Sequence, residues 1–223
     1  MSYLYIVGTP IGNLGDITLR AISALKEADI VLCEDTRVTK KLLNHFDIKD
    51  KQLSTYNEQK SGASIDKIIA WLSDGKNIAL VTDAGTPGVS DPGGILVREI
   101  MEKMEGKVKV ESVPGVSALT TAISISGVDL HEFVFLGFLP HKKGRETLFK
   151  EIANTKRPVV FYESPHRIIK SLESLDKFCP DKQITVAREL TKIFEEVLRG
   201  TPKSVKEKLT KEKQKGEFVV IVS

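Results

Sequence analysis

Cysteine is nearly missing from this chain of 223 residues: Cys33 and Cys179 stand far apart, with no CxxC and no His-rich spacing near either. A disulfide framework and a zinc site are thereby excluded, both residues are left as core or surface thiols, and no metal is expected. Long apolar runs are missing as well, since no segment approaches the roughly 18 uninterrupted apolar residues that a membrane span requires. The opening MSYLYIVGTP lacks the basic start and small-residue cleavage site of a signal peptide, so a cytoplasmic location without membrane attachment is expected. Neither sign of charge dominates: 33 Lys and Arg against 30 Asp and Glu leave +3, which neither demands nor excludes an anionic partner. Familiar catalytic signatures are absent too. There is no GxxxxGK[ST], and Gly8, Gly12 and Gly15 are four and three apart where the dinucleotide fingerprint needs two and three, which disfavours ATP and nicotinamide sites. The GVS segments at Gly88 and Gly115 continue into Asp91 and Ala118 without the final glycine of a nucleophile elbow, which removes the main support for a serine hydrolase.

What is present is alternation. Short β-branched runs (YLYIV, DIVLC, IALV, VKVESV) alternate with helical patterns (LRAISALKEA, VTKKLLNHF, IDKIIAWL, ILVREIMEKM), and the alternation resumes after residue 133 with FVFLGF, GRETLFKEIA, PVVFY, RIIKSLESL, QITVA, a strand around FEEVL, and EFVVIV. That is the signature of an α/β fold. The pause at ISGVDLHEF predicts two α/β domains, 1–127 and 128–223. In the first helix Leu19, Ile22 and Leu25 are expected to face the sheet and Lys26 and Glu27 the water. The Lys and Glu mixture from Lys206 to Gly216 reads as a solvated helix and turn.

Ligands of open α/β sheets bind where strands end, and four strand ends carry unusual loops: GTPIGNLGD (Gly8–Asp16), EDTR (Glu34–Arg37), VTDAGTPGVSDPGG (Val81–Gly94) and VPGVSALTTA (Val113–Ala122). In the third, Asp91 and Pro92 match an N-cap and first-turn proline. Asp83, Gly85, Pro87 and Gly88 read as a tight turn holding a carboxylate beside bare backbone groups, suited to a polar small molecule. Ser117 and the small residues after it leave room for a flat ligand. In the second half, Ser164 and Pro165 of YESPHR match a helix cap and first residue, whereas Arg167 in the first turn opposes the helix dipole and calls for a ligand or a carboxylate. ARELTK sets Arg188 and Glu189 after a strand, with Glu195 and Glu196 following, as a site or as a salt-bridge network. Two basic clusters, HKKGR (His141–Arg145) and Arg37 with Lys40 and Lys41, read either as phosphate contacts or as solvated faces.

Taken in order, GTPIGNLGD, EDTR, YNE, VTDAGTPGVSDPG, PGVSALTTA, GFLP, YESPHR and ARELTK resemble the ribosomal RNA small subunit methyltransferase I family of the tetrapyrrole methylase-like superfamily, over nearly the whole chain. The resemblance implies two α/β domains with S-adenosylmethionine in the cleft between them, a homodimer, and methylation of a cytidine ribose 2′-hydroxyl in the decoding region of small-subunit ribosomal RNA. It implies cofactor contacts at Asp83, Gly85, Pro87, Val89, Ser117 and Ala118, and, from the second domain, at Leu136, Tyr162, Ala187 and Arg188. Pro10 joins them from a loop that, with Asn13 and EDTR, faces the side where the target nucleotide enters. Glu34, Asp35 or Glu58 is expected to assist deprotonation, and Arg37 to hold an adjacent phosphate. With so small a net charge, the assembled subunit rather than naked RNA is the expected substrate. Two alternatives stay open: methylation of a tetrapyrrole-like metabolite, and a non-catalytic ribosome-associated module that binds the cofactor.

Overall fold

Ten strands and eight α-helices realise this alternation among the described residues, 1–56 and 61–223, of the computed structural model; Glu58 lies outside them. The chain divides into two compact units, Met1–Ser117 and Ala118–Ser223.

The first unit runs β1 (Ser2–Val7), α1 (Leu19–Glu27), β2 (Ile30–Cys33), α2 (Thr36–His45), β3 (Gln52–Thr55), α3 (Ser61–Ser73), β4 (Ile78–Leu80), α4 (Gly93–Lys103) and β5 (Val108–Val113). Its strands are parallel, in the order β3-β2-β4-β1-β5. Helices cover both faces, so β2 and β4 are buried at every position. Side chains alternate along β1: Tyr5 and Val7 join Ala24, Leu25 and Leu43 in one apolar layer, while Leu4 joins Ile68, Leu72, Leu96 and Ile100 in the other.

Two details depart from the sequence reading. α1 turns Ala21, Ala24 and Leu25 inward, whereas Leu19 is 84% exposed. Two three-residue steps leave Leu19 and Leu25 roughly 120° apart around a helix, too far for one narrow face. β3 has no counterpart among the expected strands; QLST is a polar edge strand, half-covered, without the apolar run that marks its neighbours.

The second unit runs α5 (Ala118–Ser126), β6 (Val134–Phe138), α6 (Arg145–Asn154), β7 (Val159–Glu163), α7 (Ile168–Phe178), β8 (Ile184–Arg188), β9 (Glu196–Gly200), α8 (Pro202–Lys208) and β10 (Phe218–Val222). Its sheet, β6-β7-β10-β8-β9, is parallel only between β6 and β7. Phe149, Phe161, Leu172, Leu175, Val186 and Val220 form its core. The division falls ahead of the expected 127/128 boundary because α5 packs on β8 and β10 and receives Arg199, whose guanidinium donates to the carbonyls of Ile125 and Ser126. Glycine and aspartate after a helix mark a turn, and only the packing decides which core that helix joins.

Candidate functional site

Because β2, β4, β1 and β5 are parallel neighbours, the four loops at their carboxyl ends gather on one edge of the first sheet. They are tied to one another. Thr9 and Gly85 exchange backbone hydrogen bonds of 2.9 and 3.1 Å, the Thr9 hydroxyl donates to the Thr82 carbonyl at 3.2 Å, and the Thr86 hydroxyl donates to the Val116 carbonyl at 3.0 Å. Gly8 and Gly115 touch through bare backbone: a Cβ on Gly8 would stand 2.8 Å from the Gly115 Cα. These two glycines therefore serve the approach of loop to loop rather than of loop to ligand. Pro10 is buried beside the Thr9 bridge.

The turn after β4 is also built differently from expectation. Gly85 and Gly88 have φ of +86° and +88°, which a side chain resists. The Asp91 carboxylate accepts from the amides of Gly88 (2.7 Å), Val89 (3.2 Å) and Gly93 (2.8 Å). The amides of Gly88 and Val89 are thus occupied rather than bare, and Asp91 clamps the loop. Pro92, not Asp91, holds the N-cap position of α4, so proline precedes the helix instead of opening it.

Three carboxylates meet at this edge, and their surroundings separate them. The Asp35 amide donates to Asp83 Oδ1 at 3.1 Å. Asp35 itself caps α2, accepting from the Arg37 amide at 2.8 Å, and grips the Arg37 guanidinium through Nε at 3.0 Å and Nη2 at 2.6 Å. Those bonds from Arg37 hold the Asp35 carboxyl down at about 2. Glu34 stands open at the rim, yet loss of solvent on its protein side and the Asp83 charge push its pKa up. Asp83 is likewise raised, first by desolvation and then by Asp35, against the donated amide and Arg37. A carboxyl with a raised pKa binds a proton more readily, so Glu34 and Asp83 suit proton transfer and Asp35 does not.

In the second unit, Phe138 registers with Tyr162, Tyr162 with Val219, and Val219 with Ala187, forming one row across β6, β7, β10 and β8. Registered residues present their side chains on the same face. The β6–β7 register jumps from Phe135↔Val160 to Phe138↔Tyr162, so Leu136 and Gly137 together oppose Phe161 in a β-bulge, with Gly137 at φ +59°. Phe135 and Phe138 flank the Tyr162 ring at 5.1 and 5.4 Å between centroids. Tyr162 and Ala187 therefore share one face, whereas the Leu136 side chain packs with Phe161 in the core on the other, so that Leu136 can serve the row only through its backbone in the bulge. The Arg188 side chain is not: one residue on from Ala187 it takes the opposite face, 8% exposed, with Nε 3.8 Å from Glu196 Oε2. Ser117 and Ala118 fall on the two sides of the division between the units and are partly buried.

Arg167 does meet a carboxylate. Its Nε lies 2.8 Å from Oε1 of Glu163, whose side chain is fully buried. α7 accordingly begins at Ile168, three residues after the Ser164-Pro165 start expected, with Arg167 at the N-cap and the Ser164 hydroxyl accepting from Arg167 Nε at 3.1 Å. Arg145 of the basic cluster binds Glu163 Oε2 at 3.1 Å, so among His141, Lys142, Lys143 and Arg145 only the first three are exposed. Glu163 itself was not singled out by the sequence reading; the misplaced Arg167 was its only trace. In ARELTK, Lys192 bridges Glu189 and Glu217 at 2.8 Å each, which is the salt-bridge alternative. Among the described residues no helix is long and apolar enough to cross a membrane.

A parallel sheet with glycine loops at its carboxyl edge, joined to a mixed sheet with a bulged edge strand, also describes known proteins. Residues 3–206 match the family of Tetrapyrrole (Corrin/Porphyrin) Methylases, and the chain belongs to that family. Within it, the chain falls among the proteins called ribosomal RNA small subunit methyltransferase I. It is 44% identical to the one from Thermotoga maritima over 100% of this chain and 99% of that protein, and 46% identical to the one from Halalkalibacterium halodurans over 98% and 75%. Among solved structures it is similar to a uroporphyrin-III C-methyl transferase from Thermus thermophilus complexed with S-adenyl homocysteine, with a TM-score of 0.66 and 20% identity over 99% of this chain and 97% of that one. That likeness is one of fold.

Proposed function

We propose that this chain is an S-adenosylmethionine-dependent methyltransferase of small-subunit ribosomal RNA, and that it methylates the ribose 2′-hydroxyl of a cytidine in the decoding region of the assembled subunit. The observation that carries the reading is the 44% identity along the whole chain to a protein of that name, and the carboxylates Glu34 and Asp83 gathered at the loop edge fit it. The residues fit the cofactor. Asp83 offers a carboxylate to its ammonium group, the turn from Gly85 through Pro87 to Val89 is held in a fixed shape by Thr9 and Asp91, and the backbone of the Leu136–Gly137 bulge suits a flat base with polar edges. Ser117 and Ala118 add little bulk, Ala187 lies in the Tyr162 row, and Arg188 contributes through its backbone alone. Pro10 shapes the loop through which the nucleotide enters.

When bound, the cofactor supplies a methyl group already activated on a sulfonium. The protein then has two tasks. Holding the hydroxyl in line contributes about 7–11 kcal/mol, whereas a general base contributes about 10²- to 10⁴-fold in rate, so positioning dominates. Glu34 would take the proton from the 2′-hydroxyl, and the transfer would balance by cleavage of the methyl–sulfur bond with S-adenosylhomocysteine as the leaving group. Arg37, with its side chain 87% exposed outside the Asp35 pair, holds a neighbouring phosphate, and exposed Lys40 and Lys41 extend that contact. The resemblance implies a homodimer, and a cytoplasmic location is proposed with it.

The test incubates the protein with methyl-labelled S-adenosylmethionine and small subunits lacking the modification, then hydrolyses the RNA in alkali. Alkaline cleavage needs a free 2′-hydroxyl, so label is expected in alkali-resistant dinucleotides. Label in mononucleotides would make the protein a base methyltransferase, and equal labelling of naked RNA would remove the assembled subunit as the substrate.

A further inference from the structure

The second unit holds a buried charged cluster that the proposed chemistry does not use. Glu163, at the last position of β7, is fully buried, with Arg145 and Arg167 only 15% and 14% exposed on either side of it. The Ser171 hydroxyl donates to Glu163 Oε2 at 2.5 Å, and the Ser164 amide donates to Oε1 at 2.8 Å. Each arginine sits at the N-terminal end of a helix, Arg145 opening α6 and Arg167 capping α7, where the dipole disfavours a cation. Stripping three charges of water is costly, and an apolar trio would join the same elements without that cost.

What an apolar trio would not do is reach backbone. Arg167 Nη1 donates to the Leu139 carbonyl at 2.7 Å, and Arg145 Nη1 donates to the Pro140 carbonyl at 3.1 Å. These are the first two residues after β6, directly following the bulge at Leu136–Gly137 and the Phe138 ring that flanks Tyr162. Both guanidinium groups therefore anchor the end of the edge strand to the end of β7, through one carboxylate. We propose that Glu163, acting through Arg167 and Arg145, is a positioning residue that fixes the bulge and the Tyr162 ring in the conformation that receives the adenosine part of the cofactor. This rests on the methyltransferase reading above. Fixing the edge strand before the ligand arrives spares the ordering cost that binding otherwise carries.

The test uses Arg167→Lys, which keeps a cation beside Glu163 but gives up the planar fork that reaches both the carboxylate and the Leu139 carbonyl. Binding of S-adenosylhomocysteine is measured by calorimetry, with KM and kcat for S-adenosylmethionine measured alongside. Affinity and KM are expected to worsen about tenfold while kcat falls less than threefold. Val205→Ala, a core truncation in the same unit away from the cluster, controls for loss of stability and should leave affinity within twofold. If Arg167→Lys binds as tightly as wild type, or if Val205→Ala weakens binding equally, the positioning role is overturned while the methyltransferase reading stands. Wild-type protein with no affinity for S-adenosylhomocysteine would remove both.

Discussion

Glu34 and Glu163 are the same residue type at the same kind of place, the carboxyl end of a strand, and the two units treat them in opposite ways. Glu34 follows β2 at an open rim, faces the like charge of Asp83, and is raised. Glu163 ends β7 under full burial, between two arginines and two further donors. The first arrangement leaves a carboxylate with unmet demand for a proton; the second meets every demand it has. Strand ends thus supply position alone, and the neighbours decide whether a carboxylate reacts or holds.

The contrast breaks most visibly by truncation. Glu163→Ala leaves two arginines without a counter-charge and is expected to cost about 3–5 kcal/mol in chemical denaturation. Glu34→Ala should stay within about 0.5 kcal/mol, because it removes an exposed charge that its neighbour opposes. Activity should reverse that order at the rim: Glu34→Gln is expected to lower kcat by about 10²-fold or more while S-adenosylhomocysteine binds as before. A loss below threefold would end the assignment of Glu34 as base. Gly115→Ala comes next, at about 1–3 kcal/mol by thermal melting, since its new Cβ would meet the Gly8 carbonyl oxygen at 2.8 Å.

The smaller effects lie in pH. A base works deprotonated, so kcat/KM should rise with pH through the raised pKa of Glu34, on a limb lying above the ordinary 4.5. Asp83→Asn removes a like charge and should move that limb to lower pH; a limb that does not move would separate the two carboxylates. Asp35 behaves in the opposite sense. A carboxyl held low contributes stability above its ordinary 3.8 and loses it as pH falls toward about 2. Asp35→Asn should therefore lower the melting temperature slightly at neutral pH and match wild type at the acid end.

Much of this was legible in the sequence, for identifiable reasons. Alternating apolar runs fix a parallel sheet because every buried strand must be apolar on both faces, and β3 escaped notice because a polar edge strand obeys no such demand. The four loops stood out by composition, yet what their glycines do was not readable, since the contact of Gly8 with Gly115 joins positions more than a hundred residues apart. Asp83, Leu136, Tyr162 and Ala187 were named from the resemblance, and the sheet register supplies the row that joins two of them, Tyr162 and Ala187. Glu163 stayed hidden because burial is invisible in a string: an acid between a tyrosine and a serine looks solvated until Arg167, four residues on, and Arg145, eighteen residues back, close over it.

One feature of the second sheet bears on biosynthesis. β10 lies between β7 and β8 and supplies every hydrogen-bonding partner those two strands have toward each other, although it is the last of the five to be made. Until Phe218 to Val222 emerges from the ribosome, β6–β7 and β8–β9 are separate pairs, each with an open apolar edge. The first unit has all its strands long before the second, whose two pairs are joined only by β10. A nascent chain stalled before residue 218 would then present two sticky edges, and chaperone capture or misassembly should concentrate in that interval.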